Sequence, residues 1–247
     1  MSAQSKEKIA IITATRNAAD RICDLANSLS AQTDQHFAWI VIDGGSEDGT
    51  IGLLKQLTLP QLDLHIVKDF GIYDALNQAI AFAEAEYYVV AGADDLFHPR
   101  AVENFKSAIE SGLADIYAFH VLKNGVTVEP RNRPLWWSGH KAMIAEHAVG
   151  SLIKRDLHRA FGLYSNRYPI AADHDFLVKT FLGGATYKEI PIVVGVYGTD
   201  GLSATDSVGA MLESFRIQIG WDSKLRQYLL LVIRLGLRLF SEPNKRC

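Results

Sequence analysis

The sequence predicts an α/β fold, a doubly wound and mostly parallel sheet with helices on both faces. Two observations support this prediction. Short apolar runs rich in β-branched residues alternate with amphipathic stretches through the first half of the 247-residue chain, and the connections between them are short. Such alternation is typical of parallel sheets covered on both sides. Hydrophobic residues make up 48% of the chain, enough for a large core.

Four strands and four helices are expected to alternate through the first half. Ile22, Leu25 and Leu29 recur at helical spacing, so they place a helix over 19–32. A later helix is expected between Pro99, which suits a first helical position, and Gly112, which suits a helix end. The predicted strands cover 8–14, 37–43, 64–68 and 87–91, and the other two predicted helices cover 50–57 and 72–85.

The second half has a different pattern. Asn124-Gly125 lies between two β-rich runs and predicts a hairpin. Residues 131–147 are predicted to form a loop. A helix is then expected over 173–182, a strand over 187–196 and further helices from Ser207. Because no repeat or linker separates the halves, we expect one compact unit with three regions, which are 1–113, 114–220 and the tail 221–247.

Charge and cysteine content exclude several classes of protein. The net charge of −3 argues against a general nucleic-acid binder, so no nucleic-acid partner is expected. Two cysteines, Cys23 and Cys247, are too few for a disulfide framework or a cysteine zinc site. Residues 1–8 are polar and contain no apolar segment of the kind that secretory signals carry. We therefore expect a cytoplasmic protein.

Acidic residues follow the predicted strands. Asp43 ends the second strand, Asp69 follows the third, and Asp94 and Asp95 follow the fourth. Ligands of parallel sheets bind beyond the carboxyl ends of the strands, so these carboxylates are expected to converge there. Like charges repel unless a cation offsets them, and Mg²⁺ typically takes one or two carboxylates plus substrate phosphates. The pattern favours a metal–diphosphate site; taken singly, each aspartate could instead cap a turn or helix.

Four strings in the first half together resemble one family. ITATRN, VIDGGSEDGT, DFGIYDALNQAI and AGADD begin at residues 12, 41, 69 and 91. They are similar to the family-2 glycosyltransferases with the GT-A fold, in the bacterial branch that builds surface polysaccharides. The resemblance implies metal-dependent, inverting transfer of a sugar from a nucleotide-diphosphate donor to a saccharide or lipid-linked saccharide. It assigns 1–113 to the nucleotide sugar and the smaller region 114–220 to the acceptor.

The resemblance also implies roles at the donor site. Thr13, Thr15 and Arg16 match the stretch that lines the base and ribose, and Asp43 matches an acid that hydrogen-bonds the base or ribose. Asp95 matches the last acid of an Asp-x-Asp-type motif and is implied to bind Mg²⁺ or Mn²⁺. Such a cation neutralises the leaving diphosphate. The implied donor-binding residues are Thr13, Thr15, Arg16, Asp43, Asp69, Gly71, Asp74, Asn77 and Asp94.

Residues 171–177 (AADHDFL) resemble the family segment that starts the base-bearing helix. The resemblance implies that Asp173 takes the proton of the acceptor hydroxyl, although an N-cap is the alternative role. Asp175 would point about 200° away around an ideal helix, so both aspartates cannot face the same sugar. The acceptor-side candidates are His147, Trp136, Trp137 and Asp175. His147 could instead be a hydrogen-bonded buried histidine, and the tryptophans could belong to the core.

The C-terminal tail is apolar and basic. Residues 228–240 are apolar apart from two arginines and are too few to span a bilayer. The region 221–247 carries a net charge of +4, while the other 220 residues carry −7. Such a helix can lie on anionic lipid at the inner face of a membrane, or it can pack on the core or in a dimer. The basic residues that share one side of a helical wheel are Lys224, Arg226, Arg234 and Arg238.

Two other functions share part of this pattern. A sugar-nucleotide pyrophosphorylase has a related fold, but it carries a glycine-rich loop after the first strand, and ITATRNAAD contains no glycine. A non-catalytic saccharide- or nucleotide-binding module with a decayed donor site is the other alternative. Intact Asp43, Asp94, Asp95 and Asp173 favour an enzyme over such a module.

Overall fold

The described part of the chain forms one mixed sheet with helices on both faces. The computed structural model describes residues 7–68, 71–112, 114–130, 134–138, 147–198 and 206–241. Among the predicted site residues, Asp69 lies outside these ranges. Most of the segment predicted as a loop over 131–147 also lies outside them.

The helices and strands follow the predicted order through the first half. The strands are β1 (Ile9–Thr15), β2 (Ala38–Asp43), β3 (Leu62–Ile66), β4 (Tyr87–Val90), β5 (Leu96–Phe97), β6 (Ile116–Lys123), β7 (Val126–Val128), β8 (Ser151–Lys154) and β9 (Tyr187–Val196). The α-helices are α1 (Ile22–Ser30), α2 (Thr50–Gln56), α3 (Ile72–Phe82), α4 (Ala101–Glu110), α5 (Leu135–Ser138), α6 (Leu157–Phe161), α7 (Ala172–Leu182), α8 (Ser207–Gln218) and α9 (Lys224–Ser241).

The sheet brings the carboxyl ends of strands from both halves to one edge. Its order is β3-β2-β1-β4-β8-β6-β9-β5, and β7 pairs with β6. The strands β1 to β4 run parallel, whereas β8 runs antiparallel to both β4 and β6. Since β6 and β9 are parallel to each other, they point the same way as β4. The carboxyl edge of the first four strands therefore also contains the ends of β6 and β9 and the start of β8.

Two hydrophobic layers sandwich the sheet, as the doubly wound prediction requires. Alternate residues of β1 serve the two layers: Ile9 and Ile11 face one, and Ala10 and Ile12 face the other. The first layer holds α1, α2 and α4, and the second holds α3, α6 and α7. The two layers position the N-termini of α3 and α7 on the same side of the sheet.

Several boundaries differ from the sequence prediction for local reasons. The helix predicted over 19–32 begins only at Ile22, because Asn17 takes a left-handed backbone conformation with φ 52° and a turn follows. The helix near Pro99 begins at Ala101. A short helix, α5, occupies part of the predicted loop. The strands β5 and β8 and the helix α6 were not predicted as separate elements, because two to five residues are too few to show a period.

A buried chain of hydrogen bonds links β4 to α6. The Tyr88 hydroxyl lies 2.7 Å from His158 Nε2 and 2.8 Å from the Tyr164 hydroxyl, and His158 Nδ1 lies 3.0 Å from the Gly162 carbonyl oxygen. A carbonyl only accepts, so Nδ1 carries the proton and Nε2 accepts from Tyr88. Tyr164 then donates to Tyr88. Burial lowers the pKa of His158 to about 4, which keeps the ring neutral.

We expect the free energy of unfolding to fall as the pH is lowered from about 6.5 to about 4. Within this window the unfolded histidine binds a proton and the buried His158 does not, so acid favours the unfolded state. The full loss is roughly 3 kcal/mol. Urea unfolding across this pH range measures the loss. In the His158→Gln variant, the slope of the free energy of unfolding against pH should be smaller by the equivalent of about one bound proton. An equal slope in both proteins would contradict the role of His158.

Candidate functional site

Residues from both halves of the chain meet at the carboxyl edge of the sheet. Thr15 and Asp43 end β1 and β2, and residues 92–95 follow β4. Gly198 lies just beyond the end of β9, and His147 precedes the start of β8. The predicted convergence of acidic strand ends is thus present for Asp43, Asp94 and Asp95.

Asp43 holds the turn that follows β2. Its side chain is buried, and its Oδ1 accepts the backbone N–H groups of Gly45 at 2.9 Å and Ser46 at 2.7 Å. Its Oδ2 accepts the Ser46 hydroxyl at 2.7 Å. The turn-capping role that the sequence left open is therefore present. The contact of Asp43 with a base or ribose stays a prediction.

The loops after β1 and β2 are bonded to each other. Asn17 donates its backbone N–H to Ser46 Oγ at 2.7 Å, and its Oδ1 accepts the Glu47 N–H at 3.0 Å. Asp48 accepts the Ala19 N–H at 2.9 Å. A hydrogen bond from the Thr50 hydroxyl is the main reason that the pKa of Asp48 is lowered. These contacts hold the two loops together beside Thr15 and Asp43.

Three residues at the end of β1 are predicted to contact the nucleotide-sugar donor, and they differ in exposure. Thr13 is buried, and its Oγ1 accepts the indole N–H of Trp39 at 3.1 Å, so it supports the core. Thr15 is also buried, but its Oγ1 has no hydrogen-bond partner among the described residues. Arg16 is exposed. Arg16 is thus accessible to a ligand, whereas the Thr13 hydroxyl is already bonded and the Thr15 hydroxyl is buried.

Asp95 is buried at the end of β4. Its Oδ2 accepts the Gly92 N–H at 2.7 Å, and its Oδ1 accepts the Gly198 N–H at 2.9 Å. Burial raises the pKa of Asp95, although His147, whose Nδ1 lies 3.8 Å from Oδ2, and the two N–H groups oppose that shift. The carboxylate therefore joins the segment after β4 to the segment after β9.

Two glycines make room for the neighbouring Asp94. A Cβ atom on Gly92 would lie 2.8 Å from Asp94 Oδ1, and a Cβ atom on Gly198 would overlap the same carboxyl group. Asp94 is partly exposed, in contrast to Asp95. The sequence did not predict this contact of Gly92 and Gly198 with Asp94, because the packing depends on β5 returning antiparallel to β9.

A stack of rings and one cation borders the two aspartates. The His147 ring lies parallel to the Tyr197 ring, with 4.5 Å between centroids and 7° between planes. Lys123 Nζ lies 5.1 Å from the centroid of Tyr197. Lys123 ends β6 and was not predicted at the site. Its only sequence signal is its position before Asn124-Gly125, which is equally typical of a surface hairpin.

The donor atoms at this edge fit a divalent ion that is shared with a ligand. Within the ranges that the structure describes, no group of three or more His, Cys, Asp and Glu side chains could hold a metal ion. Asp94 and Asp95 supply the one or two carboxylates that Mg²⁺ takes alongside substrate phosphates. A cation beside Asp95 would also offset the cost of burying its charge.

Asp173 lies in the first turn of α7, against the first turn of α3. The Tyr73 hydroxyl is 2.8 Å from Asp173 Oδ1 and 2.9 Å from the Ile170 carbonyl oxygen. The same Oδ1 accepts the His174 N–H at 2.8 Å. Burial, and then the charge of Asp173, raise the pKa of Tyr73 well above its ordinary value, so Tyr73 stays a donor. This hydrogen bond joins Asp173 to the segment DFGIYDALNQAI, which begins at residue 69 and contains Tyr73.

The family is decided by comparison with known sequences. The family model described as "Glycosyl transferase family 2" matches residues 10–167, more than half of the chain. The chain belongs to glycosyltransferase family 2. The predicted family membership is therefore confirmed.

Relatives and solved structures agree with this assignment. The chain is 26% identical over 244 residues to a "PGL/p-HBAD biosynthesis glycosyltransferase" of Mycobacterium tuberculosis, covering 93% of this chain and 86% of the relative. S. aureus TarS 1–349, in a crystal structure with UDP-GlcNAc, aligns with TM-score 0.69 and 17% identity over 97% of this chain and 74% of that one. A Pyrobaculum calidifontis mannosyltransferase, in complex with GDP-Man and Mn²⁺, aligns with TM-score 0.68 and 18% identity over 97% of this chain and 77% of that one. The structural likenesses confirm the predicted GT-A fold.

In this glycosyltransferase a glutamate from α8 fixes the turn that carries Asp173. Buried Glu213 accepts the N–H groups of Ile170 and Ala171, both at 2.9 Å, just before α7. His174 Nδ1 lies 3.1 Å from the Ser214 hydroxyl of the same helix. No local sequence pattern could have indicated that Glu213 bonds this turn, since Glu213 is 42 residues from Ala171.

Three other predicted donor residues of the glycosyltransferase lie in α3 or at its start. Gly71 is exposed with φ 120°, a conformation that suits glycine. Asp74 accepts from Gln78 Nε2 at 3.1 Å within the helix. Asn77 pairs with the backbone of Tyr164 through both its Oδ1 and its Nδ2. Asn77 thus holds the backbone at Tyr164, and its contact with the sugar donor stays a prediction.

The remaining acceptor-side candidates of the glycosyltransferase are not gathered at the edge. Asp175 is nearly buried and forms an ion pair with Lys179, away from the Tyr73 contact, as the predicted angular separation requires. Trp136 and Trp137 lie in α5 and remain partly exposed. Their carbonyl oxygens accept hydrogen bonds from Gln227 and Arg234 of α9. The tryptophans are therefore attached to the C-terminal helix.

Proposed function

We propose that this glycosyltransferase is metal-dependent and inverting, and that it moves a sugar from a nucleotide-diphosphate donor to a saccharide hydroxyl during polysaccharide or glycoconjugate biosynthesis. One observation carries the proposal. The buried Asp95 beside Asp94 at the strand ends and the half-buried Asp173 at the start of α7 supply separate carboxylates for donor and acceptor chemistry. A lipid-linked saccharide acceptor and a cytoplasmic location stay predictions.

The donor would lie along the ends of β1, β2 and β4. The exposed Arg16 is accessible to a base or ribose, and the buried Thr15 hydroxyl, which has no partner among the described residues, lies beside it in sequence. Asp95, with Asp94 beside it, would hold Mg²⁺ or Mn²⁺, which when bound offsets charge on the leaving diphosphate. TarS in complex with UDP-GlcNAc and the mannosyltransferase in complex with GDP-Man share this fold, which supports a nucleotide-sugar donor.

Asp173 would act as the general base. Tyr73 and the His174 N–H engage its Oδ1, and its Oδ2 has no hydrogen bond to any described residue. Oδ2 can therefore take the proton of the acceptor hydroxyl as that oxygen attacks the anomeric carbon. Attack on the side opposite the leaving diphosphate inverts the configuration of that carbon.

Tyr73→Phe is expected to lower kcat about tenfold, because one hydrogen bond to a charged group is lost. The KM for the donor should not change. Steady-state kinetics at varied donor concentration measures both quantities.

Tyr187→Phe is the matched control for Tyr73→Phe. The Tyr187 hydroxyl is also partly buried and bonds the Leu177 carbonyl of α7 at 3.0 Å, about one turn beyond Asp173. Tyr187→Phe should keep the kcat of the wild type. An equal loss of kcat in both variants would show that Tyr73 acts only through general stability.

The donor class is tested by a thermal-shift panel of UDP, GDP, CDP and dTDP, each with and without Mn²⁺. Ligand binding to the folded state raises stability by about 2.7 kcal/mol at a hundredfold excess over Kd. We expect a Mn²⁺-dependent shift with one nucleotide. No shift with any nucleotide would contradict the proposed donor site and favour a binding module without transfer activity.

A further inference from the structure

The C-terminal helix α9 turns most of its apolar side chains away from the protein. Leu225, Leu229, Val232 and Leu237 are among its most exposed residues, and Leu225 is 82% exposed. Leu225, Leu229 and Val232 recur at the three- and four-residue spacing that places side chains on one helix face, and Leu237 lies about 120° around the helix from Leu225. An amphipathic helix normally buries that face, so its exposure here needs a partner.

The inward side of α9 is held by polar contacts beside the buried Leu230. Gln227 is fully buried and donates to the Trp136 carbonyl oxygen at 3.1 Å and to Asp222 Oδ2 at 2.7 Å. Arg234 bonds Gln218 and the Trp137 carbonyl, and burial lowers its pKa. Because these contacts fix the rotation of the helix, the apolar side cannot turn inward without breaking them.

Helix α8 extends the apolar surface. Val208 and Leu212 are exposed at 42% and 39%, and they share a face of α8 with Phe215. The Phe215 ring lies 5.1 Å from the ring of Tyr228, which is exposed on α9. The docking face is defined by Val208, Leu212, Leu225, Tyr228, Leu229, Val232, Ile233 and Leu237.

Basic residues border the docking face. Lys224 and Arg226 are sequence neighbours of Leu225 and project about 100° to either side of it. The helix α9 contains no acidic residue; of its four basic residues, Arg234 faces the protein and Arg226 also pairs with Asp222 at 3.0 Å. Among the described helices, none is long and apolar enough to cross a bilayer. An apolar stripe with basic borders suits a helix that lies in the plane of an anionic lipid surface.

We propose that the docking face binds the surface of a membrane that contains anionic lipid. A second copy of the chain is less suited, because pairing two such faces would bring their basic borders together. A lipid surface instead supplies apolar contact for the face and negative charge for its borders. This inference does not depend on the proposed sugar transfer, since lipid binding needs neither donor nor acceptor.

The test is co-sedimentation of the full chain with lipid vesicles. Vesicles of phosphatidylcholine alone are compared with vesicles that also contain phosphatidylglycerol, at low and at high salt. We expect binding to increase with phosphatidylglycerol and to weaken with salt. The double variant Leu229→Glu/Val232→Glu should reduce the partition coefficient at least about tenfold, because both side chains enter the lipid.

A matched double variant controls for added charge and lost apolar surface. Val126→Glu/Leu182→Glu changes the same residue types at 66% and 56% exposure, against 67% for Val232 and 60% for Leu229. The control should sediment like the wild type. Circular dichroism checks the fold of each protein, and Leu225→Ser provides a second, milder variant of the docking face.

Three results would overturn the inference. The first is failure of the wild type to bind phosphatidylglycerol vesicles, and the second is equal loss of binding in both double variants. The third is a dimer in light scattering that Leu229→Glu/Val232→Glu dissociates, in a protein that does not bind vesicles. That third result would assign the face to a second copy.

Discussion

Asp173→Asn is expected to abolish sugar transfer while leaving donor binding intact. The asparagine keeps an Oδ1 that can accept from Tyr73 and from the His174 N–H, so the first turn of α7 should hold its shape. The amide cannot take a proton at neutral pH. General-base catalysis typically contributes 10²- to 10⁴-fold, so kcat should fall about a thousandfold.

The measurement for Asp173→Asn pairs transfer kinetics with nucleotide binding. Thermal shifts with the nucleotide selected by the panel should match those of the wild type, while product formation falls to the background rate. Asp24→Asn is the matched control, because it removes an exposed carboxylate from the first turn of another helix. If Asp173→Asn loses donor binding as well as transfer, the separation of the base from the donor site is wrong.

The position of Asp173 could be predicted from the sequence, but its supports could not. The string AADHDFL identifies the helix start, and α7 begins at Ala172, one residue from the predicted Asp173. The Tyr73 contact joins residues 100 apart, and Glu213 bonds the turn from another helix. Such contacts depend on how α3, α7 and α8 pack, and no local periodicity encodes them.

The parallel half of the fold was predictable for a physical reason. Its strands β1, β2 and β4 are nearly continuous apolar runs buried on both faces, whereas the edge strand β3 is partly exposed. Its helices show a clear apolar face, so local pattern and tertiary burial largely agree. β5 has only two residues and forms because β9 lies beside it. The orientation of α9 was also beyond the sequence, since amphipathicity does not say which side meets the protein.

The donor residues show the same division. The sequence places Asp94 and Asp95 side by side, but only the folded chain makes Asp95 buried and bonded to two backbone N–H groups. Thr13 and Thr15 lie two residues apart in β1 and look equivalent in the sequence. The indole N–H of Trp39 donates to the Thr13 hydroxyl, whereas the Thr15 hydroxyl has no partner among the described residues.

Gly198→Ala is expected to weaken Mn²⁺-dependent nucleotide binding by at least about tenfold. The added Cβ would overlap the carboxyl group of Asp94 and would lie 2.7 Å from the Cβ of Asp94, which cannot swing away as a side-chain end can. Either Asp94 or the backbone at 198 must move. Movement at 198 also breaks the 2.9 Å bond from its N–H to Asp95.

Nucleotide titrations followed by thermal shift, with and without Mn²⁺, measure the effect of Gly198→Ala. Gly52→Ala is the control, because nothing lies within 4 Å of a Cβ at that position in α2. The control should bind nucleotide like the wild type. Wild-type affinity in Gly198→Ala would mean that the ligand does not depend on the geometry of Asp94 and Asp95, and the proposed metal–diphosphate site would then have to lie elsewhere on the sheet edge.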